Sequence, residues 1–381
     1  MNTEPVTSIR IDALDTLFFR DGKPFTMGAE DWADAQFPPS PAVIYGALRS
    51  QYFSEKDHAK DLPNANTQQD PTAPFTITLI TLHQQERLLF PMPADYARLK
   101  ERPEEDCEAV LLHHIEAVPL SNCRMPHIIS ADESKKVESI EGGFLSSSDL
   151  LRYCEDTPET LQYERLQDFT VPETKLGIGR QNATHTAEDG KLYRVDMRRL
   201  ASKRKFGDEQ LQHLSLYVEF TGLDLAESGV FRLGGEGKMT YYQRVSPFSF
   251  DPPKLTGKHF KLYLATPAFF ARGWLPGWID PTTLKACQSP YSNLQMRLET
   301  AIIGKPVRIG GFDMKAGKPK VMRQAVPAGS VYYFTLEGDI QEAVALFHRQ
   351  RISDAPPDPD APYHPGDSQQ GFGLTFIGGV Q

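Results

Sequence analysis

The sequence predicts an α+β protein: two ferredoxin-like βαββαβ domains in tandem, with a β-hairpin insertion and glycine-rich loops. Three observations carry that expectation. The chain is 381 residues long, more than the roughly 250–300 residues that a single core usually holds. Apolar residues make up 40% and aromatics 10% of it, enough for two packed interiors. Its C-terminal third reads as strand, connection, strand, strand, helix, strand, which is the order of the βαββαβ unit.

Taken in order, Ser8 to Phe19 alternates and clusters apolar side chains (Ile9, Ile11, Leu14, Leu17, Phe18, Phe19), a strand that bends at Asp15. Pro38, Pro39 and Pro41 precede Val43, Ile44, Leu48 and Tyr52, an apolar spacing of three to four with Ser40 placed as an N-cap, so a helix starts there. Phe75 to Leu82 alternates as a strand, and Glu86 to Phe90 returns antiparallel after a turn at His83–Gln85. Pro91 to Gly143 gives no clear period and is read as loops and short elements. Ser148 to Cys154 is a short helix capped by the serine run.

Pro172 to Leu200 is read as a protruding hairpin, with a glycine-rich turn at Gly177 and Gly179 and a polar tip at Ala187–Gly190. Leu214–Phe220 and Met239–Val245 are strands separated by Gly234, Gly235 and Gly237. The stretch from Asp251-Pro252-Pro253 to Gly257 is the best linker. It divides an N-terminal unit over 1–250, with insertions at about 91–205, from a C-terminal unit over 251–381. The second unit has strands at Phe260–Ala265, Leu298–Ile309, Ser330–Leu336 and Leu374–Ile377 and a helix at Ile340–Arg349. The first fits the same order more loosely.

Composition excludes several classes of protein. The sequence has no run of about 18 uncharged apolar residues, so no membrane span is expected. Met1 to Arg10 lacks the apolar stretch of a signal peptide. Cys107, Cys123, Cys154 and Cys287 are widely spread and form no CxxC pair, which suits reduced thiols in a cytoplasmic protein rather than a disulfide framework or zinc site. The net charge of −9 argues on its own against a phosphate-binding face. The charge is unevenly spread, however. Lys191, Arg194, Arg198, Arg199, Lys203, Arg204 and Lys205 meet only Asp196, and Lys305, Arg308, Lys315, Lys318, Lys320 and Arg323 meet only Asp313. Either run alone is as well read as a solvated face. Two such runs on an acidic chain favour a polyanionic partner.

Enzyme motifs fail. Gly234-Gly235-Glu236-Gly237-Lys238 has Arg232 where a Walker A loop needs glycine and Met239 where it needs Ser or Thr. Gly177-Ile178-Gly179 is followed by Asn182 in place of the third glycine of a dinucleotide loop. The sequence has neither an HExxH helix nor a GxSxG elbow. No catalytic residue, metal ligand or cofactor is therefore expected. Four segments instead join cations to glycines, whose backbone N–H groups can approach a phosphate closely. They are Arg20 to Phe25, Lys175 to Asn182, Arg232 to Lys238 and Arg308 to Lys315. Each taken alone is more readily read as an ordinary turn. Gly371-Phe372-Gly373 has no cation and is read as a turn.

Leu14 to Phe25 (LDTLFFRDGKPF), Phe37 to Pro41 (FPPSP), Tyr45 to Arg49 (YGALR), Lys175 to Thr186 (KLGIGRQNATHT), Gly190 to Arg194 (GKLYR), Gly229 to Lys238 (GVFRLGGEGK), Arg323 to Tyr333 (RQAVPAGSVYY) and Gly371 to Gly378 (GFGLTFIG) run in order along almost the whole chain. Together they resemble the CRISPR-associated RAMP superfamily, and within it the family of crRNA 5′-tag-binding subunits of type III-B (Cmr) effector complexes. The resemblance implies RRM-related ferredoxin-like domains and a non-catalytic, cytoplasmic subunit serving antiviral defence. It further implies that the chain holds the repeat-derived 5′ tag of the guide RNA and joins the large polymerase-like subunit to the backbone RAMP subunits. Carried over by motif position, the RNA-binding residues would be Arg20, Lys23, Arg49, Gly177, Gly179, Arg180, Asn182, Gly234, Gly235, Gly237 and Lys238, with Lys175, Arg194 and Arg198 from the hairpin's basic flank. Phe25, Tyr45 and Tyr193 would be stacking partners, though such a residue is more often a core aromatic. The alternative is a RAMP endoribonuclease processing precursor guide RNA, with His185 as its acid or base. A third reading, a nucleotide-binding module at Gly234–Lys238, lacks the metal-binding hydroxyl after Lys238.

Overall fold

The fold comes from a computed structural model, which describes residues 5–20, 32–33, 35–103, 106–116, 125–131, 135–181, 184, 186–201, 213–313, 317–354 and 365–380. It is α+β, with mostly antiparallel sheets and few helices. No helix among the described residues is long and apolar enough to cross a membrane.

Among the described residues, the N-terminal half is built on an eight-stranded sheet. Its order is Glu164–Arg165, Gly143–Ser146, Arg87–Pro91, Thr76–Gln84, Leu214–Thr221, Thr7–Ala13, Met239–Arg244 and Ser228–Arg232. The strand Leu214–Thr221 lies near the centre and shows why the pattern folds this way. Leu214, Leu216, Val218 and Phe220 point to one core, while Tyr217 points to another. The first core is covered by the helix Pro41–Ser54, through Ile44, Tyr45, Leu48 and Tyr52. That helix starts at Ser40 with Pro41 in the first turn, and the Ser40 side chain makes no capping bond. The predicted turn at His83–Gln85 is shorter than expected. Thr76–Gln84 continues to Gln84, and Gln85 takes φ +53° before the strand returns at Arg87.

The C-terminal half is a four-stranded antiparallel sheet in the order Met296–Ile302, Val331–Leu336, His259–Leu264 and Thr375–Gly379. Tyr332, Phe334 and Leu336 face a core covered by the helix Ile340–Phe347, whereas Val331 and Tyr333 face the opposite way. Asp339 caps this helix by accepting from the Gln341 N–H at 2.9 Å.

The inward faces of the two sheets meet in a third core. Leu79, Phe90 and Tyr217 from one half pack there with Tyr263, Val331, Tyr333 and Phe376 from the other. The helix Ser147–Glu155, capped by Ser146, is sandwiched between the halves through Leu150, Tyr153 and Cys154. Within this core Lys261 is fully buried. Its ammonium donates to Thr157 Oγ1 at 2.8 Å and lies 3.4 Å from the Tyr153 ring centroid. Tyr153 and Tyr333 both donate to the buried carboxylate of Asp95, at 2.8 and 2.5 Å. Burial pushes the Lys261 ammonium down to about 8.

Two sequence expectations need correction. Of the two helices in a βαββαβ unit, only one connects the corresponding strands in each half among the described residues. Residues 265–295 carry Pro267, Pro276, Pro281 and Pro290, and residues 222–238 carry five glycines. Both compositions disfavour a helix. The stretch at 251–257 is not a free linker, since Phe250 and Leu255 are buried. The short elements expected in Pro91–Gly143 are strands. Tyr96–Leu99, Glu108–Leu111 and Val137–Ser139 join Thr160–Gln162 in a sheet, and His113–Glu116 pairs with His127–Ser130.

Candidate nucleic-acid interface

Val171–Arg180 and Ala187–Arg199 form the expected hairpin, and Ala187–Gly190 belongs to the second strand rather than to the tip. One face of its base is apolar. Val195 and Met197 are buried against Phe18, and Thr16 Oγ1 lies 3.6 Å from the Met197 sulfur. The backbone of Leu17 exchanges two hydrogen bonds with Arg198, both at 2.8 Å. The segment after the first strand is thereby stitched onto the hairpin. On the other face Leu176 and Ile178 are exposed, with Arg194 exposed opposite Leu176.

The glycine loop after Arg232 closes on the same place. Gly234 has φ +78°, and a Cβ there would sit 2.3 Å from the carbonyl oxygen of Phe18. Gly235 donates its N–H to that oxygen at 2.8 Å. The close approach that these glycines permit is thus to the protein's own backbone. Gly237, at φ +63°, opens on free space.

Ion pairs tie the three segments together. Asp15 accepts from Lys238 at 2.5 Å and lies 3.6 Å from the Arg199 guanidinium. The Lys238 hydrogen bond is the main reason its carboxyl stays below the usual carboxylate range. Arg199 holds both oxygens of Glu173, and Lys175 reaches Glu236 at 2.7 Å. Arg198 donates to Thr170 Oγ1 at 3.2 Å. Two of the four cation–glycine segments named from the sequence, the hairpin and 232–238, therefore meet residues 15–18 in one site; of the first, Arg20 to Phe25, only Arg20 lies within the described residues. Arg20, at its edge, is exposed and bridges in backbone to Ala35.

Other named residues lie elsewhere. Arg49 is turned inward. Its Nε donates to Thr72 Oγ1 at 2.6 Å, one terminal nitrogen to Asn66 at 3.0 Å, and the other pairs with the buried Asp70. It fixes the loop 66–72 and does not face the hairpin base, because those acceptors lie within reach of its own helix. Tyr45 is a core residue stacked on Phe75 with ring centroids 4.4 Å apart. Lys23, Phe25, Asn182 and His185 lie outside the described residues, as do the side chains of Arg180 and Tyr193. Gly177, Gly179 and Arg180 are strand positions in the hairpin. The turn reading of Gly371-Phe372-Gly373 fits, because Phe372 is buried and a Cβ on Gly371 would meet Ile77 at 2.9 Å.

A cleft of about 780 Å³, not expected from the sequence reading, lies between the halves. Phe37, Pro39, Met92 and Phe144 line it from one side, Pro267 and Pro327 from the other, and Arg308 is its one charged lining residue. The only available signal was the proline-rich segments Phe37–Pro41 and Pro306, which mark stiff walls. Among the described residues no group of three or more His, Cys, Asp or Glu side chains is arranged to hold a metal ion.

Comparison with known proteins adds the following. No curated protein matches the chain. Solved structures that it resembles include a chain of the type III-B Cmr-beta complex bound to cognate target RNA, at 16% identity over 86% of each chain with a TM-score of 0.45. The same complex with AMPPnP gives 16% identity, 86% of each chain and a TM-score of 0.46. A chain of the Csm3–Csm4 subcomplex of the type III-A interference complex gives 11% identity, 87% of this chain and 94% of that one, and a TM-score of 0.37. The family model of the CRISPR-associated protein Cas_Cmr3 matches residues 9–380, nearly the whole chain, and the protein belongs to that family.

Proposed function

We propose that this chain is the non-catalytic subunit of a type III-B effector complex that holds the repeat-derived 5′ tag of the guide RNA, and that it links the large polymerase-like subunit to the backbone subunits. Its two halves are read as ferredoxin-like, RRM-related domains, 1–250 and 251–381, each missing one helix. The observation that carries the reading is the convergence of the segment 14–20, the hairpin base and the loop 232–238. Arg20, Arg194 and Arg232, on those same three segments, are exposed. Single-stranded RNA is gripped by such cations along its phosphates, with rigid backbone beneath them. Arg180 and Asn182 would extend the grip along the hairpin. The acidic balance of the rest of the chain suits a basic neighbouring subunit.

The experiment incubates the purified protein with end-labelled RNA bearing the tag, a tagless control and an unprocessed precursor, with and without EDTA, on native and denaturing gels. A tag-dependent shift with intact RNA is expected, and Arg194→Glu should weaken it without unfolding the protein. Site-specific shortening of the precursor would refute the non-catalytic reading. Equal binding of tagged and tagless RNA would refute tag recognition.

A further inference from the structure

The fourth cation–glycine segment stands apart from the hairpin base. Val307–Ile309 pairs with Arg323–Ala325, and Phe312–Asp313 pairs with Lys318–Pro319. The Lys320 N–H donates to Gly311 at 3.0 Å, so the two pairs are joined into one ribbon. Its root is fixed. Ile309 and Ala325 are buried with Phe269 and Phe372, and Arg323 lies 3.7 Å from the Phe269 ring centroid while pairing with the buried Asp367 at 2.8 Å. Its outer part is otherwise composed. Phe312 is 54% exposed and Val321 84% exposed, and Arg308, Lys318 and Lys320 are exposed around them. Residues 305–323 carry six cations against Asp313, on a chain whose net charge is −9.

A rigidly rooted ribbon thus turns a large aromatic ring to solvent among cations. The Phe312 ring is more than half exposed, and Arg308 and Lys318 form no ion pair among the described residues. We propose that this ribbon is a second contact for single-stranded RNA, in which Phe312 stacks on an unpaired base and Arg308 and Lys318 neutralise the flanking phosphates. Unpaired bases offer a π-face to an aromatic side chain, and the adjoining backbone supplies the anions. Arg308 also lines the cleft between the halves, so RNA on the ribbon runs along the mouth of that cleft. The inference rests on the RNA-binding reading above but uses residues that the hairpin site does not.

The test uses the full chain with a fluorescein-labelled single-stranded oligoribonucleotide and the same sequence as a duplex. Phe312→Ala should weaken single-strand binding about ten-fold or more, within the range of base–aromatic stacking. Phe312→Trp should retain affinity, with its added indole fluorescence quenched by the single strand and not by the duplex. Arg308→Glu with Lys318→Glu should flatten the salt dependence of binding by about one to two phosphate contacts. A wild-type chain that binds, alongside Phe312→Ala binding equally well or an unquenched indole, would overturn the ribbon site and leave the hairpin site standing. Loss of a protein partner on Phe312→Ala with unchanged RNA affinity would overturn it in favour of a protein contact. A wild-type chain that binds no RNA would overturn both.

Discussion

Replacing Gly234 by alanine tests whether the glycine loop is built for contact with Phe18. Three effects add up. An L-residue at φ +78° costs about 1–2 kcal/mol. The new Cβ would lie 2.3 Å from the Phe18 carbonyl oxygen and 3.1 Å from the Phe19 ring, too close to hold, so the loop must lift away. Lifting breaks the Gly235 N–H bond to the same oxygen, worth about 1 kcal/mol. The total is about 2–4 kcal/mol. Gly237→Ala provides the control, because its φ is also positive, at +63°, but its missing Cβ faces open space. That change should cost only the backbone part, about 1–2 kcal/mol. Urea denaturation of both variants measures the difference through the midpoint at constant slope. Equal destabilisation, or Gly234→Ala indistinguishable from wild type, would refute the close-approach argument. In RNA binding the two should also separate, with Gly234→Ala the weaker because it shifts the hairpin base.

Two further outcomes follow from groups outside that junction. Arg49→Met should destabilise the fold by about 1–3 kcal/mol, since Thr72, Asn66 and Asp70 each lose a charged donor, while Asp70 keeps the Asn66 and Thr72 N–H groups; RNA affinity of the folded variant should not change, and a specific loss of affinity would return Arg49 to the interface. His83 and His348 are held below the usual imidazole range mainly by burial. The unfolded chain therefore binds more protons just below pH about 6.5, and stability should fall as the pH drops through that value. A double His83→Gln, His348→Gln variant should lose part of this decline between pH about 7 and about 5.5 in chemical denaturation; an unaltered pH profile would remove these two groups as its cause.

The strands were legible where side chains alternate against a core on both faces. Leu214–Thr221 and Val331–Leu336 have that character, and sequence reasoning placed both. The edge strand Ser228–Arg232 was hidden inside what looked like a glycine loop, because its residues are mostly exposed and carry no clear alternation, although it forms a local hairpin with Met239–Arg244. The segments of the site were legible through their glycines and cations, but the roles were not. Gly234 and a guanidinium such as Arg49 look alike in sequence whether they serve RNA or the chain itself. Only the position of the Phe18 carbonyl and of Asp70 decides. The inter-half cleft was illegible because its walls come from seven or more separate stretches of chain, which no local period links.

The shared core has a consequence for how the two halves live together. Tyr153 and Asp95 from one half and Lys261 and Tyr333 from the other form one buried network. A fragment ending near residue 250 would expose Leu79, Phe90, Tyr153 and Tyr217 to water and strip Asp95 of its Tyr333 donor. The point where the sequence divides is therefore not a point where the molecule can be divided. Both halves should melt in a single transition, and neither should persist as a soluble piece after proteolysis. A hinge between the two sheets would have to break this shared core.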